Sequence, residues 1–254
     1  MRLEASSLGD LKGIRHGFFG RQGGVSDGVW ASLNVGLRSG DLPERIASNR
    51  GLIARNLAAS PSMLVTARQV HGSLAMPVAE PWDNWNAPEA DALVTDQPGL
   101  LLGVLTADCG PVLLADPKAG VIGVAHAGWK GALGGVLETV VTAMRALGAM
   151  PEQITAAVGP CIGLASYEVG PEFLDRFVAA DPASRHHFDE GGVQPRFDLA
   201  EFIRTRLQCS GVGQIEVLPH DTCAEEERFF SFRRATLRRE PAFGLQLSGL
   251  VLDG

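Results

Sequence analysis

The feature that most constrains this chain is a run of three apolar segments, residues 100–106, 112–116 and 121–126, separated by short turns. Each segment is rich in Leu, Val, Ile or Ala, which is typical of strands buried on both faces. The first turn contains Asp108 and Cys109, followed by a Gly-Pro step that favours a sharp reversal. The run therefore predicts a buried sheet that holds a carboxylate and a thiol at one of its turns.

Amphipathic helices and shorter strands surround this run. We predict helices over residues 41–60, 133–149, 170–180 and 198–211. We predict strands over residues 63–72, 92–95, 154–158 and 215–219, and β-structure with tight loops over 14–35. Since the sequence has no linker and no repeat, we expect one α+β domain over residues 1–254, in which helices cover mixed β-sheets.

Composition narrows the classes of function. Lys and Arg number 22 against 29 Asp and Glu, and the resulting net charge of −7 argues against nucleic acid as a partner. No apolar stretch is long enough for a membrane span, and the N-terminal residues do not form a secretory signal, so we expect a cytoplasmic protein without a membrane partner. Four cysteines without a Cys-x-x-Cys pair indicate reduced thiols.

Three side chains with metal-binding chemistry occupy comparable positions in the predicted strands. His71 ends one strand, Cys109 follows another, and His126 ends a third. Two imidazoles and a thiolate suit Zn²⁺, and three protein ligands leave a fourth tetrahedral position open, as in a catalytic site. The alternative is three unrelated polar residues, because they are far apart in sequence. The metal interpretation predicts a cleft at the strand ends.

A set of motifs occurs in a characteristic order: FFGRQGGVS, QVHG, ADALVT, TADCGPVLL, AHAGWKG, VGPCIG and FFSFRR. From about residue 15 to 247, the chain resembles the bacterial polyphenol-oxidase or laccase-domain family of zinc-containing purine nucleoside phosphorylases. The resemblance implies that His71, Cys109 and His126 bind zinc at the active site. It also implies phosphorolysis of adenosine, inosine, guanosine and methylthioadenosine, and deamination of adenosine. The expected partners are therefore purine nucleosides and phosphate.

The chain departs from the family pattern at several positions. Gly20, Lys130 and Phe232 stand where Thr, Arg and Tyr are expected. Leu245 stands near the C-terminus, where the family commonly has Arg. These departures leave the three expected zinc ligands unchanged, whereas the loss of the arginine bears on phosphate or substrate binding.

Four further residues are candidates for the site, each with an alternative. Asp108 orients a ligand histidine, positions substrate, or only caps its own turn. Arg21, in a glycine-rich loop, binds phosphate or is an exposed residue of a hairpin turn. Lys130 reaches a phosphate or is solvated, and Arg233 lines an anion site or one face of a strand.

Other functions stay open from the sequence. A metal-independent hydrolase or deamidase would use Cys109 as its nucleophile and His126 or His71 as the base. A non-catalytic zinc-binding module would have the same ligands. Copper oxidase chemistry is disfavoured, because a trinuclear centre needs more imidazoles than six histidines without a His-x-His pair supply. The oligomeric state is also open, with a homodimer as the candidate.

Overall fold

The computed structural model describes residues 1–253 and contains two large mixed β-sheets with helices packed on them. The strands are β1 (Arg2–Leu3), β2 (Ile14–Phe19), β3 (Leu64–Val65), β4 (Ala75–Pro77), β5 (Ala92–Thr95), β6 (Leu101–Thr106), β7 (Gly110–Asp116), β8 (Val121–Ala127), β9 (Thr155–Val158), β10 (Phe188–Asp189), β11 (Arg196–Phe197), β12 (Gln214–Val217) and β13 (Gln246–Leu252). The α-helices are α1 (Ser6–Gly9), α2 (Pro43–Asn56), α3 (Trp129–Leu133), α4 (Val136–Ala146), α5 (Pro171–Ala180), α6 (Leu199–Cys209) and α7 (Phe232–Arg238).

The two sheets have different strand orders. The first sheet runs β1-β2-β13-β6-β3, and the second runs β12-β9-β7-β8-β5-β4. Each combines parallel and antiparallel pairs, and β10 and β11 form a separate ribbon. The predicted fold class, mixed sheets covered by helices, is confirmed. Within the described residues, none of the helices has the length and apolar character needed to cross a lipid bilayer.

The apolar core explains the uninterrupted hydrophobic run of the central strands. In β7, Leu113 and Ala115 pack between the two sheets, whereas Val112 and Leu114 pack on the opposite face. Helices α4 and α6 cover that face of the second sheet, and α2 covers the outer face of the first. Because both faces of β7 are buried, apolar residues occupy consecutive positions in it.

The turn that carries Asp108 and Cys109 is the place where the chain crosses from one sheet to the other. Strand β6 pairs with β13 in the first sheet, whereas β7 pairs with β8 and β9 in the second. The backbone of Asp108 has a φ of 87°, a left-handed conformation that is uncommon for a non-glycine residue. Both sheets therefore hold this short turn in place.

Two predictions of local structure are wrong, and one alternative is excluded. The strand predicted over 63–72 ends at Val65, and His71 lies in a loop because the amides around it bind a carboxylate instead of a strand. The alternative that Arg233 lies on one face of a strand is also excluded, because helix α7 begins at Phe232, where the Ser231 side chain accepts the Arg234 amide as an N-cap. Residues 20–35, predicted as β-structure, form loops and one 3₁₀ turn, Gly28–Trp30, and Arg21 O accepts two amides of the same segment.

Candidate active site

His71, Cys109 and His126 lie together in the folded chain. Their ligand atoms are all within 4.8 Å of one another, and Cys109 Sγ is 3.8 Å from His71 Nε2. The two imidazole rings meet edge to face with centroids 4.8 Å apart. The structure thus brings together the three residues that the sequence predicts as ligands, although their binding of a metal stays a prediction.

Each of the three side chains comes from a different element. Cys109 lies in the turn between β6 and β7, His126 lies near the end of β8, and His71 lies in the loop between β3 and β4. Gly128, just after β8, permits their close approach. A Cβ atom there would lie 2.8 Å from Cys109 Sγ and 3.0 Å from His71 Cδ2. A side chain at this position would therefore clash with Cys109 and His71.

Asp91 organises both histidines, and the sequence analysis did not single it out. Its Oδ1 lies 2.8 Å from His126 Nδ1 and accepts the His71 amide at 3.0 Å. Its Oδ2 accepts the amides of Val70 and Gly72. Since Asp91 engages Nδ1 of His126, Nε2 is the nitrogen left for a metal, as is usual for ligand histidines. The available signal was an acidic residue inside the ADALVT motif, directly before a buried strand.

Asp108 lies on the other side of Cys109 and has a different role. Its carboxylate accepts hydrogen bonds from Thr222 Oγ1 at 2.7 Å, Ser231 Oγ at 3.0 Å and the Arg233 amide at 2.6 Å. Within residues 1–253 it makes no hydrogen bond to a histidine, so the geometry is that of an anchor for the start of α7. Burial raises the pKa of Asp108, although these donors oppose the shift.

Cys109 and His126 are electrostatically coupled. Burial disfavours the thiolate, but the charge and hydrogen bonds of the two histidines outweigh it and lower the pKa of Cys109 to about 6. Burial also disfavours the imidazolium, but the thiolate and Asp91 outweigh it and raise the pKa of His126 to about 9. At neutral pH the sulfur is therefore a thiolate, the form that binds metals and attacks electrophiles.

The donor set fits zinc. Tetrahedral coordination with the usual bond lengths places a sulfur and a nitrogen ligand about 3.6 Å apart. The 3.8 Å between Cys109 Sγ and His71 Nε2 is close to that value. A multi-copper centre fits poorly, because the described residues 1–253 contain no second group of potential ligands and the other four histidines lie outside this one.

Two cavities of about 420 Å³ each adjoin the group, and both are lined by His71, Ala107, Cys109 and Phe232. We name the first the arginine cavity; its further lining includes Arg38, Arg50, Arg68, Thr66, Thr106, His126, Phe243 and Leu245. We name the second the aromatic cavity; its further lining includes Trp129, Tyr167, Phe173, Glu168, Glu172 and Arg233. The group can therefore meet a substrate from two sides of contrasting chemistry.

The cations predicted to bind phosphate or substrate occupy three different places. Arg233 lines the aromatic cavity with its guanidinium 5.4 Å from the centre of the Tyr167 ring. Arg21 lines a separate cavity of about 240 Å³. Lys130 is exposed, with its ammonium 5.5 Å from the Trp129 ring centre, and lines neither cavity beside Cys109. Their roles in binding stay predictions.

Fold and site together define a mixed α/β protein with one three-residue His-Cys-His group between two cavities. Residues 15–253 match the model of a family described as multi-copper polyphenol oxidoreductase laccase, and the chain belongs to this family. The resemblance seen in the sequence motifs is thereby confirmed.

Similar proteins of other organisms are named purine nucleoside phosphorylases, whereas the family model is described as a laccase. The chain is 44% identical to a purine nucleoside phosphorylase of Deinococcus radiodurans, over 87% of this chain and 84% of that protein. It is 38% identical to the purine nucleoside phosphorylase YfiH of Escherichia coli, over 84% of this chain and 86% of that protein. The crystal structure of YlmD from Geobacillus stearothermophilus superimposes with a TM-score of 0.89 at 32% identity, covering 98% of this chain and 94% of that one.

Proposed function

We propose that this chain is a zinc-containing purine nucleoside phosphorylase that also deaminates adenosine. The observation that carries the proposal is the group of His71, Cys109 and His126 between two cavities, one rich in arginine and one rich in aromatic rings. The relatives' name supplies the substrate class, a purine nucleoside with phosphate. Adenosine, inosine, guanosine and methylthioadenosine are the proposed nucleosides.

The proposed ligands of zinc are Cys109 Sγ, His71 and His126 Nε2. Zinc, when bound, supplies a Lewis acid with one open coordination position. Asp91 fixes the tautomer and the ring orientation of His126, and the crossing between the sheets holds Cys109. The exposed His71 forms the side of the group that faces substrate.

The aromatic cavity suits the purine ring. Trp129, Tyr167 and Phe173 offer aromatic surface against which a flat base can stack. The carboxylates of Glu168 and Glu172 are acceptors for the N–H groups of a purine. A base in this cavity places its ribose near Cys109. In phosphorolysis a phosphate oxygen then forms a bond to C1′ while the bond from C1′ to the purine breaks, and the purine leaves with the electron pair and takes up a proton.

The products formed from adenosine with and without phosphate test the proposal. With phosphate we expect adenine and ribose 1-phosphate, and with or without it we expect inosine as a slower product. Cys109→Ser lowers zinc content and abolishes both reactions, because a neutral hydroxyl replaces a thiolate poorly. Cys209→Ser, at an exposed free thiol, is the matched control and keeps both. Undiminished zinc in Cys109→Ser would remove this residue from the ligand set, and bound zinc without turnover of any nucleoside would favour a binding module.

A thiol hydrolase is the second candidate, and one arrangement favours it. Cys109, His126 and Asp91 follow the order of nucleophile, base and orienting carboxylate, with 2.8 Å between Asp91 Oδ1 and His126 Nδ1. In that reaction the thiolate adds to a carbonyl carbon, and the bond from that carbon to the leaving group breaks as the imidazolium protonates the leaving group. Water, deprotonated by His126, then cleaves the thioester to release the acid and restore the thiolate. Hydrolysis that survives complete removal of the metal would support this candidate against the phosphorylase.

We further propose that the protein acts in the cytoplasm on small molecules, with no nucleic-acid partner. Four free thiols suit a reducing compartment, and a net charge of −7 repels phosphate backbones. A single domain over residues 1–254 and a homodimer complete the proposal. Limited proteolysis tests the first, because two stable halves would contradict it, and light scattering measures the second.

A further inference from the structure

We propose that Arg50, supported by Thr66, forms a binding site for a phosphate group in the arginine cavity. This inference rests on the proposed function, since phosphorolysis needs a phosphate beside the nucleoside. Arg50 lies in α2, far in sequence from the motifs that contain the three predicted ligands. It lines the same cavity as His71, Cys109 and His126.

Arg50 is a buried cation without a counter-charge. Arg50 is only 7% exposed, and burial alone lowers the pKa of its guanidinium to about 10. Within residues 1–253 both hydrogen-bond acceptors of the guanidinium are neutral. Nη1 donates to Val35 O at 3.2 Å, and Nη2 donates to Thr66 Oγ1 at 2.7 Å. Buried charges in proteins are normally paired. An unpaired one in the wall of a cavity therefore indicates an anionic ligand.

The guanidinium is held in a fixed orientation. Thr66 Oγ1 accepts from Arg50 and donates to Asn84 Oδ1 at 2.8 Å, and Asn84 Nδ2 donates to Leu64 O at 2.8 Å. Arg50, Thr66 and Asn84 all line the cavity. An arginine has five N–H groups in a planar fork, so the groups not used by Val35 and Thr66 are available for two oxygens of one phosphate.

The other arginines of the cavity differ from Arg50 because one is ion-paired and the other is exposed to solvent. Arg68 forms an ion pair with Glu89, and the exposed Arg38 donates to Trp85 O. A second polar group in the same wall is unsatisfied: the buried hydroxyl of Thr106 has no hydrogen-bond partner. The arginine cavity therefore combines, in a wall that also contains apolar side chains, one buried positive charge without a counter-charge and a buried hydroxyl that lacks a partner, and both groups suit an oxyanion.

The position of Arg50 gives the two cavities complementary roles. A phosphate at Arg50 and a base in the aromatic cavity would both lie in cavities that adjoin His71 and Cys109, so the two reactants would meet beside these residues. The phosphate oxygen donates an electron pair to C1′, and the electrons of the broken bond leave with the purine. The phosphate group has two sources that share this chemistry, inorganic phosphate and the phosphate of a nucleoside monophosphate, and binding measurements separate them.

Calorimetric titration of the metal-loaded protein with inorganic phosphate, at ionic strength matched with sodium chloride, tests the inference without turnover. We expect Arg50→Met to weaken phosphate binding by about 10-fold or more, the loss of one charge-assisted fork. Arg55→Met is the matched control, because it removes an exposed arginine from the same helix. It leaves phosphate affinity unchanged. If Arg50→Met does not fold, Arg50→Lys keeps the charge but lacks the fork, and we expect intermediate weakening.

Several outcomes decide the matter. Unchanged phosphate affinity in both Arg50 variants overturns the inference, as does loss of binding in Arg21→Ala alone. Arg50-dependent binding of adenosine monophosphate, with no binding of inorganic phosphate, supports the site and assigns the phosphate to a nucleotide. No binding of either by the wild-type protein overturns it. Arg50-dependent phosphate binding in a protein that cleaves no nucleoside would contradict the proposed function and leave the site standing.

Steady-state kinetics gives a second readout. In Arg50→Met we expect the KM for phosphate to rise about 10-fold while the KM for adenosine stays within about 2-fold. Deamination consumes water and no phosphate, so we expect it to lose less activity than phosphorolysis at subsaturating phosphate. Equal losses in both reactions would mean that Arg50 supports the fold of the site rather than the phosphate.

Discussion

The two cavities beside Cys109 have similar volumes, about 420 Å³ each, and share four lining residues, yet their other walls differ in chemistry. The arginine cavity is built from α2 and the loops after β3, and it contains the unpaired Arg50. The aromatic cavity is built from the starts of α3, α5 and α7, which contribute Trp129, Phe173 and Arg233. Under the proposed function, Cys109 and His71 would therefore face a phosphate in the arginine cavity and a purine ring in the aromatic cavity.

The carboxylates of Asp91 and Asp108, near Cys109, also bind different parts of the site. Asp91 binds both histidines, whereas Asp108 binds the start of α7, where Phe232 lines both cavities and Arg233 lines the aromatic cavity. Leu245, at the position where the sequence resemblance led us to expect an arginine, lines the arginine cavity. If that expectation is right, the missing charge falls on the wall proposed to bind phosphate, where Arg50 is the buried cation.

The largest expected effect concerns the thiol that both cavities share. In metal-free protein the rate of Cys109 alkylation should follow a titration with a midpoint well below the ordinary value of 9.0, because the two histidines lower the pKa of this thiol to about 6. The sign follows from the lowered pKa: the thiolate persists above this midpoint, and alkylation slows as the pH falls below it. Mass spectrometry of iodoacetamide-labelled peptides measures the profile.

Two comparisons control this measurement. Cys161 is buried, and burial raises its pKa, so it should resist labelling throughout the same pH range. Zinc should protect Cys109 if the sulfur is a ligand. A midpoint near the ordinary value for Cys109, or equal labelling with and without zinc, would contradict the coupling to His126 or the ligand assignment, respectively.

A smaller effect is expected from Asp91→Asn. The change removes the charge that orients His126 and that accepts three backbone amides around His71, so zinc affinity should fall by about 10- to 100-fold. Competition with a chromogenic chelator measures the affinity. Asp116→Asn is the matched control, because Asp116 is equally buried but binds the amides of Lys118 and Ala119. Equal zinc affinity in both variants would show that Asp91 only supports the loop.

The central strands were predictable because their apolar runs are long and uninterrupted, and Cys109 was correctly placed in the turn between two of them. The role of Asp91 could not be predicted, because its partners His71 and His126 lie 20 and 35 residues away in sequence. The loop that contains His71 also resembles a strand in its sequence pattern. Arg50 was missed for a related reason. On an amphipathic helix an arginine is expected to face solvent, and only the packing of α2 on the first sheet buries it. The glycine-rich loop drew attention to Arg21 by composition, yet it lies at a separate cavity.

The smallest expected effect tests whether the aromatic cavity holds the nucleoside. Arg233→Ala removes the guanidinium beside the Tyr167 ring but keeps the main-chain amide that binds Asp108, so the start of α7 should be preserved. We expect the KM for adenosine to rise about 10-fold, the loss of roughly 1.4 kcal/mol of contact, with the KM for phosphate unchanged. Arg238→Ala, at an exposed position of the same helix, should change neither value. A rise in the KM for phosphate alone would instead make Arg233 the anion-binding residue that the sequence allowed, and the assignment of the two cavities would have to be exchanged.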